Sequence, residues 1–252
     1  MAGKPLPWKT AWVTGASTGI GREVARQLSA AGVKVAASAR SRDKLEALGP
    51  GILAVPLDVT DAAACRDAVS LIEDRMGPID LAVLGAGTYS PVAVDDLDPA
   101  VFGRMMETNY MGVVNCLSAL APGMIARGQG HLSWIASVAG YMGLPKSAAY
   151  GPTKAALINL AESLHAELKP RGVAVSVVNP GFVSTPLTAQ NDFPMPFLME
   201  PEEAARRTIS GLAAGRFEVA FPSRFVAILK TVRLLPYPLF FKLISRAVLK
   251  NP

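Results

Sequence analysis

Short apolar runs alternate along this chain with longer stretches in which apolar residues recur at helical spacing. Seven apolar runs have the length of strands, the last weaker than the others: Thr10–Thr14, Val33–Ala39, Ile52–Leu57, Leu81–Leu84, His131–Ile135, Val173–Val178 and Glu218–Phe221. Four helices are predicted between them, at Ile20–Ala30, Ala62–Arg75, Pro99–Ala126 and Ala148–Leu168. Continuous apolar strands are typical of a parallel sheet that helices cover on both faces. We therefore predict an α/β fold with a Rossmann-like, doubly wound parallel sheet of about seven strands.

Two segments in the last third of the chain depart from this alternation. Residues 185–201 are rich in proline and lack periodicity. We predict a mobile substrate lid there, over the carboxyl edge of the sheet, with a static surface loop as the alternative. Residues 222–252 hold two amphipathic helices, Phe225–Leu235 and Leu239–Lys250, split by Pro236-Tyr237-Pro238. We predict one domain over 1–221, lid included, with 222–252 as a basic helical extension packed on or beside it.

The positive charge of the chain is concentrated in this extension. Six basic residues and no acidic residue lie between Val219 and Pro252, whereas the first 218 residues carry a net charge of −1 out of a total of +5. The basic balance is therefore no evidence for a nucleic-acid surface, and we expect no nucleic-acid partner. A basic amphipathic helix can lie on a membrane, cover a pocket or form a subunit contact, and all three roles stay open for 222–250.

Composition and residue spacing limit the compartments and the kinds of chemistry that are expected for this protein. Half of the residues are apolar and the mean hydropathy is +0.30, but no apolar run reaches the roughly 18 residues of a spanning helix, and the first residues lack the apolar core of a secretory signal. Cys65 and Cys116 are expected to be buried free thiols rather than a disulfide. His131 and His165 have no metal partner at useful spacing, so structural roles and no metal site are expected. These points favour a cytoplasmic protein, with membrane association through the extension left open.

A glycine-rich turn joins the first predicted strand to the first helix, in the sequence Thr14-Gly15-Ala16-Ser17-Thr18-Gly19-Ile20-Gly21. Glycines allow a close approach of the backbone to an anion, and the N-terminus of the helix presents unpaired N–H groups to a pyrophosphate. The spacing is GxxxGxG rather than GxGxxG, so the motif alone is a weak signal. Its position directly after the first strand makes it a strong indication of a dinucleotide site.

The end of the second predicted strand indicates which dinucleotide binds. An acidic residue there holds the adenosine ribose of NAD, whereas an arginine accommodates the 2′-phosphate of NADP. Residues 34–42 contain no acidic residue, and Arg40 lies at the expected edge. We therefore predict NADP(H) over NAD(H), with a solvated surface charge as the alternative role of Arg40.

Tyr150 and Lys154 are the strongest candidates for chemistry. They lie four residues apart on a predicted helix, so their side chains share one face. An ammonium group near a phenol favours the phenolate, and we predict that Lys154 lowers the pKa of Tyr150 and suits it to acid–base work on a carbonyl/alcohol pair. Ser137 follows a predicted strand, at the sheet edge where such folds place their chemistry.

Together these motifs resemble the short-chain dehydrogenase/reductase family over residues 10–221. The matching stretches occur in the order typical of the family: TGASTGIG at 14–21, LDVTD at 57–61, GAG at 85–87, Asn109 in a long helix, Ser137 after a strand, YGPTK at 150–154 and PGFVST at 180–185. The length of the chain favours the compact, single-domain members. Gly85 departs from the pattern, because the family usually has asparagine there, and we expect a modest loss of rigidity near the adenosine.

The resemblance implies an oxidoreductase that interconverts a ketone or aldehyde and an alcohol. The alternative is a catalytically idle dinucleotide-binding sensor or scaffold. It implies Tyr150 as general acid or base, Lys154 on the nicotinamide ribose, Ser137 on the substrate oxygen, and Asn109 as a residue that kinks its helix and holds a water of the proton relay. It implies a cofactor site along the sheet edge, made by Gly15, Ser17, Gly19, Ile20, Gly21, Arg40, Asp58, Val59, Ala86, Gly87, Tyr150, Lys154, Pro180, Gly181, Val183 and Thr185.

The resemblance also implies a homodimer or homotetramer, formed through the long helices that contain Asn109 and Tyr150. The predicted substrate pocket is lined by the loop at 88–94, Tyr141–Pro145, Phe182 and the lid, which are mostly apolar. Such a pocket favours a bulky, hydrophobic substrate without fixing its identity. Reduction is the favoured direction because NADPH is the usual reducing pool.

Overall fold

The computed structural model describes residues 5–92, 94–191 and 193–248. In this part of the chain one sheet contains β1 (Thr10–Thr14), β2 (Lys34–Ala39), β3 (Ile52–Pro56), β4 (Leu81–Leu84), β5 (Gly130–Ile135), β6 (Val173–Pro180) and β7 (Glu218–Phe221). The strands are parallel and their order is β3-β2-β1-β4-β5-β6-β7. Because the order reverses between β1 and β4, a crevice opens there at the carboxyl ends of the strands, where ligands bind in such sheets.

Helices cover both faces of this sheet. Over the same residues they are α1 (Gly19–Ala30), α2 (Arg42–Glu46), α3 (Ala62–Met76), α4 (Pro99–Met106), α5 (Gly112–Ala126), α6 (Tyr150–Leu168), α7 (Pro201–Ala213), α8 (Ser223–Arg233) and α9 (Tyr237–Val248). One apolar core joins α1 and α7 to the sheet, and the other joins α3, α5 and α6 to it around the fully buried Trp12 and Trp134. The predicted doubly wound parallel sheet is confirmed.

The strand predictions agree with the structure better than the helix predictions do. Strand bounds coincide or differ by at most two residues. The prediction of one continuous α-helix over Pro99–Ala126 is wrong, because a π-helical turn at Glu107–Met111 separates α4 from α5. The sequence prediction also omits two helices. Helix α2 is too short to show periodicity. Helix α7 begins with Pro201 and two glutamates, a typical first turn, but the proline-rich segment directly before it made this start hard to recognise.

The C-terminal helices form a smaller third core at the carboxyl end of the sheet. Val226 and Leu229 of α8 and Phe240 of α9 are buried with Val138 and Met142 of the turn after β5. Helix α9 begins at Tyr237 rather than at the predicted Leu239, since the proline that follows lies in the first turn, where a missing N–H breaks no helical hydrogen bond. The predicted end of this helix, Lys250, lies outside the described residues. Within those residues no helix combines the length and the apolar character needed to cross a membrane.

Residues 185–201 form a loop that is closed at its base. The Ser184 amide donates to the Met199 carbonyl (2.9 Å), and the Met199 amide donates to the Phe182 carbonyl (3.0 Å). The loop lies at the carboxyl edge of the sheet, and its mobility stays a prediction.

Candidate active site

The glycine-rich turn brings β1, α1 and β4 closer together than side chains would permit. Gly15 has φ +68°, and a Cβ there would lie 2.4 Å from the Gly85 carbonyl oxygen. A Cβ on Gly21 would lie 2.5 Å from the Gly15 carbonyl oxygen, and one on Gly19, where φ is +57°, would lie 2.8 Å from Cγ2 of Thr185. The turn therefore requires glycine at these positions and leaves a cradle of bare backbone at the N-terminus of α1.

Two cavities adjoin beside this turn and form one groove along the carboxyl edge of the sheet, called the cofactor groove below. They measure ≈ 200 Å³ and ≈ 580 Å³ and share Gly15, Ser17, Gly87 and Thr88. Every residue that the resemblance assigns to the cofactor borders one of the two cavities. The smaller one is lined by Gly19, Ile20, Gly21, Tyr150, Lys154, Pro180, Gly181, Val183 and Thr185, and the larger one by Arg40, Asp58, Val59 and Ala86.

The far end of the groove is basic. Arg40, Lys44 and Arg104 line it, against Asp58 and Glu107, and no acidic residue stands at the end of β2. The Asp58 carboxylate accepts hydrogen bonds from the Thr60 amide (3.0 Å) and hydroxyl (2.8 Å), which hold the pKa of Asp58 below its ordinary value despite partial burial; the charge of Arg40 acts in the same direction. The sequence prediction does not include Lys44 or Arg104. The run of charged residues at 40–44 is a signal that could have identified Lys44. The set of donors fits a 2′-phosphate on the adenosine ribose.

Tyr150 lies at the near end of the groove, at the start of α6. Its ring contacts the Tyr89 ring edge-on, with 5.2 Å between centroids. Burial raises the pKa of Tyr150, a hydrogen bond with Ser137 opposes this, and Tyr89 adds to the rise. The prediction that the pKa is lowered is therefore wrong for this structure, because the loss of hydration outweighs any nearby charge. The phenol is held in its neutral, proton-bearing form.

Lys154 is buried below Tyr150. Its Nζ donates to the Ile135 carbonyl (2.9 Å) and lies 5.4 Å from the centroid of the Tyr150 ring. Burial lowers the pKa of Lys154 to about 8. One turn of helix separates the two residues as predicted, but the ammonium group bonds to the sheet rather than to the phenol.

The turn that carries Ser137 is held against α6. The Ser137 hydroxyl accepts from the Ala139 amide (3.1 Å) and lies 3.5 Å from the Pro180 carbonyl. A Cβ on Gly140 would lie 2.7 Å from the Lys154 carbonyl carbon, so this turn and α6 are in backbone contact. The sequence prediction does not include Gly140, although a glycine three residues after a candidate serine was a usable signal.

Asn109 is fully buried in the π-helical turn between α4 and α5. Its amide group donates to the Thr88 carbonyl (3.0 Å) and to the Thr153 hydroxyl (3.1 Å), and its Oδ1 accepts from the Thr88 amide (2.7 Å). Both N–H groups are therefore used to fasten the loop after β4 to α6. The predicted water of the proton relay stays a prediction.

Gly85 is half-buried and hydrogen-bonded to β1, and the expected loss of rigidity near the adenosine stays a prediction. Its amide donates to the carbonyl (3.2 Å) and the hydroxyl (3.1 Å) of Thr14, and the Ala86 amide also lies 3.3 Å from that hydroxyl. A Cβ at this position would lie 2.9 Å from Cδ1 of Ile135. Thr14 thus supplies the tie between β1 and β4, and Ile135 fills the space that an asparagine would need.

A third cavity, of ≈ 440 Å³, opens from the near end of the groove and is called the apolar cavity below. It shares Ser137, Tyr150, Gly181, Leu187 and Thr188 with the groove. As predicted, Tyr89, Leu144, Pro145, Phe182 and the 185–201 loop line it. The remaining wall, which the predicted list of lining residues does not include, is made by α8 and α9 through Phe225, Ile228, Leu229, Val232, Leu243 and Ile244. The extension therefore covers the cavity, one of the three roles left open.

Glu218 of β7 fastens this wall. Its carboxylate accepts from the Tyr141 hydroxyl (2.5 Å), the Asn179 amide (2.9 Å) and the Lys230 ammonium group of α8. Burial would raise the pKa of Glu218, but these three hydrogen bonds together lower it. Tyr141, which was predicted to line the pocket, instead links the turn after β5 to α8 through this carboxylate.

The histidine and cysteine side chains that were considered as metal ligands make structural contacts instead. His131 lies 2.8 Å from the Ser176 hydroxyl, and burial lowers its pKa to about 4. Cys65 and Cys116 are buried free thiols, as predicted, with 3.8 Å between their sulfur atoms. Over residues 5–92, 94–191 and 193–248, no three His, Cys, Asp or Glu side chains gather as metal ligands would.

Known proteins resemble this chain over most of its length. Residues 9–194 match the family model of short chain dehydrogenases. An uncharacterized oxidoreductase of Myxococcus xanthus is 38% identical over 242 residues, which are 93% of this chain and 96% of that protein. Dehydrogenase/reductase SDR family member 7B of Bos taurus is 36% identical over 189 residues, which are 70% of this chain and 58% of that protein.

Solved structures share the fold. A short chain dehydrogenase from Burkholderia cenocepacia in complex with NADP has a TM-score of 0.82 and 27% identity over 97% of this chain and 98% of that one. A short-chain dehydrogenase from Streptomyces avermitilis has a TM-score of 0.80 and 27% identity, over 95% and 98%. This chain belongs to the short-chain dehydrogenase/reductase family of oxidoreductases, whose members bind NAD or NADP.

Proposed function

We propose that this protein is an NADPH-dependent carbonyl reductase that converts a bulky, hydrophobic ketone or aldehyde into the alcohol, and the alcohol back under oxidising conditions. One observation carries the proposal: the cofactor groove and the apolar cavity meet at Ser137 and Tyr150. A carbonyl carbon at that junction has a proton donor on one side and the nicotinamide position on the other. Bound NADPH supplies the hydride, and the protein supplies orientation and one proton.

The residues at the junction divide this work. Tyr150 donates the proton to the substrate oxygen, which becomes more basic than the phenolate as the hydride arrives at the carbonyl carbon; burial keeps the phenol protonated until then. Ser137 donates a hydrogen bond to the same oxygen and holds it at the phenol. Lys154 binds the nicotinamide ribose and restores the proton. Asn109 acts through its neighbours, as it holds the loop after β4 against α6.

The preference for NADP(H) over NAD(H) is supported by the basic end of the groove. Arg40 and Lys44 grip the 2′-phosphate, and the absence of an acid at the end of β2 removes the partner that the 2′-hydroxyl of NAD would need. Two similar proteins were solved with NADP or NADPH.

Further parts of the proposal concern the whole molecule. The chain forms one domain over 1–221 with 222–252 packed on it, and it works in the cytoplasm as a homodimer or homotetramer. The mostly apolar lining of the cavity, with Phe182, Phe193 and Phe225 among its residues, disfavours charged substrates because most of their lost hydration would be uncompensated, although Lys146 also borders the cavity.

A panel of carbonyl compounds ranked by size and polarity tests the proposal. We expect NADPH oxidation with large uncharged ketones or aldehydes, at least tenfold slower oxidation of NADH, and little turnover of small or anionic ones. NADPH binding without turnover of any carbonyl or alcohol would support the rival function, a dinucleotide-binding sensor or scaffold. Equal efficiency with the two cofactors would contradict the assignment of Arg40 and Lys44.

A further inference from the structure

The outer surface of α8 and α9 is apolar although nothing in the described chain covers it. Leu234, Tyr237, Leu239 and Phe241 are 85%, 62%, 51% and 58% exposed. Helix α9 also buries Phe240 towards the protein, and exposed apolar side chains flank this buried residue. A helix at the surface normally has one polar face, and an exposed apolar patch of this kind marks an interaction site. We call this patch, together with the exposed Phe197 and Leu198 of the 185–201 loop, the outer apolar surface.

This surface is continuous with the apolar cavity. Ile228 of α8 and Leu243 of α9 line the cavity and are nevertheless 51% and 45% exposed, so they border both the cavity and the outside. Phe197 and Leu198, close to the base of the 185–201 loop, are also exposed, and the Phe197 ring lies 5.8 Å from the Phe225 ring on the cavity wall. An apolar molecule on the outer surface therefore contacts residues that also line the cavity.

Basic residues accompany the apolar ones. Arg224, Arg233, Lys242 and Arg246 are exposed on the same two helices, and the sequence holds no acidic residue from Val219 to the end. The nearest acid along the chain, Glu218, is occupied by Lys230. A second copy of this chain seated on the surface would bring like charges together. Anionic lipid headgroups would neutralise them while the apolar side chains enter the acyl region.

We propose that the outer apolar surface docks on an anionic lipid bilayer and that the substrate enters the apolar cavity directly from it. This inference rests on the proposed carbonyl reductase and specifies its substrate class: a long-chain or polycyclic carbonyl compound, or the corresponding alcohol, that partitions into lipid. Docking is peripheral, with α9 lying along the bilayer surface, because no described helix is long and apolar enough to span it. Of the three roles that the sequence left open for 222–250, the extension then has two at once. The inner sides of α8 and α9 cover the cavity, and their outer sides contact the lipid.

Flotation of the full chain with vesicles tests the docking without reference to activity. We expect binding to phosphatidylcholine vesicles that contain phosphatidylglycerol, and much weaker binding to phosphatidylcholine alone. Replacing Arg233, Lys242 and Arg246 by Gln should weaken binding on the order of 100-fold, at about 1 kcal/mol for each charge near the surface. Replacing Leu234, Leu239 and Phe241 by Gln should weaken it on both kinds of vesicle.

A matched control lies on the opposite part of the molecule. Leu71 and Arg75 are exposed on α3, so their replacement by Gln removes the same side-chain types from a surface to which we assign no partner. The control variant should float like the wild type. Every substituted side chain is exposed, and thermal unfolding of each variant checks that the fold is kept.

Two outcomes would overturn the docking: vesicle binding that is unaffected by both sets of substitutions, or no vesicle binding by the wild type. A solution dimer that the Leu234, Leu239 and Phe241 variant dissociates, together with no vesicle binding, would identify a second copy as the occupant. Turnover assays distinguish a failure of the docking from a failure of the proposed function. The variants should reduce a water-soluble ketone at the wild-type rate and a vesicle-embedded ketone at least tenfold more slowly. Vesicle binding without reduction of either ketone would leave the docking standing and remove the reductase.

Discussion

The cofactor groove and the apolar cavity meet at Tyr150, but they are built in opposite ways. The groove is made of glycines, strand ends and main-chain groups that belong to several short, contiguous motifs. The cavity is made of large side chains from the loop after β4, the turn after β5, the 185–201 loop and the C-terminal helices. Under the proposed function, the groove determines the kind of reaction and the cavity determines the choice of substrate. Each half should therefore fail in its own way when it is damaged.

Removal of the phenol hydroxyl at the junction should have the largest effect. We expect Tyr150→Phe to lower kcat by about 10³-fold, because the proton donor is lost, while the Kd of NADPH stays near the wild-type value. Tyr141→Phe is the matched control, as its hydroxyl points to Glu218 instead, and it should cost no more than about tenfold. Similar kcat values for the two variants would remove Tyr150 from the chemistry.

Damage to the groove alone should abolish cofactor binding. In Gly15→Ala the added Cβ would lie 2.4 Å from the Gly85 carbonyl oxygen, on a residue with positive φ, so β1, β4 or the turn must shift. We expect the affinity for NADPH, measured by fluorescence titration, to fall more than roughly 100-fold. Gly103→Ala in α4 meets no atom within 4 Å and should bind NADPH normally. Normal binding by Gly15→Ala would show that the cradle tolerates a side chain.

The buried ammonium group below the junction is held at a cost to stability. The pKa of Lys154, lowered from 10.5 to about 8, corresponds to about 3 kcal/mol that opposes folding at pH 7. Lys154→Met should therefore raise the free energy of unfolding by about 2 kcal/mol, after the loss of the bond to Ile135, while turnover falls sharply. The exposed Lys169→Met is the control and should change neither quantity much.

The sign of the pH dependence follows from the same shift. Between about pH 8 and pH 10.5 the unfolded chain binds a proton at Lys154 that the folded chain does not, so this residue makes stability rise with pH. Urea unfolding at several pH values should show this rise in the wild type and a smaller one in Lys154→Met. Identical pH profiles would contradict the lowered pKa.

The basic end of the groove should control the choice of cofactor. Arg40→Gln is expected to weaken NADPH binding by about 10- to 100-fold, the worth of a charged hydrogen bond to phosphate, and to leave NADH binding unchanged. Arg42→Gln is the control, since Arg42 pairs with Glu46 and does not line the groove. An unchanged ratio of the two cofactors in Arg40→Gln would contradict the NADP assignment.

Loosening the cavity wall should have the smallest effect. Glu218→Gln weakens the hydrogen bonds that join α8 to the turn after β5, so KM for a large ketone should rise about three- to tenfold while the Kd of NADPH is unchanged. Glu203→Gln is the control, because this exposed carboxylate binds Arg206 and Arg207 on α7 instead. A change in NADPH affinity rather than in KM would show that the two halves are not independent.

The contrast also explains what the sequence could predict. The groove was predictable because each of its parts is a short contiguous motif whose residues are fixed by backbone geometry, as with Gly15 and Gly21. The strands were predictable because they are buried on both faces and read as unbroken apolar runs. Tertiary contacts decided the rest. The π-helical turn at Asn109 depends on Thr88 and Thr153, and the apolar periodicity of α8 could not reveal which surface it would cover.

The electrostatics at the junction were the least predictable part. Spacing alone placed Lys154 one turn from Tyr150, and from that the phenol pKa was expected to fall. Folding surrounds both groups with protein, so burial raises one pKa and lowers the other. Burial is a property of the whole fold, and no local pattern encodes it.

A deuterium-transfer experiment is the most direct test of the claim that the cofactor groove and the apolar cavity meet at the reacting centre. The protein is incubated with a large apolar ketone and with NADPH that carries deuterium at both C4 positions of the nicotinamide, and the product is analysed by mass spectrometry. We predict an alcohol with one deuterium on the carbinol carbon, formed by the wild type and not by Tyr150→Phe. An alcohol without deuterium, or no alcohol from any ketone of the panel while NADPH binds normally, would contradict the account.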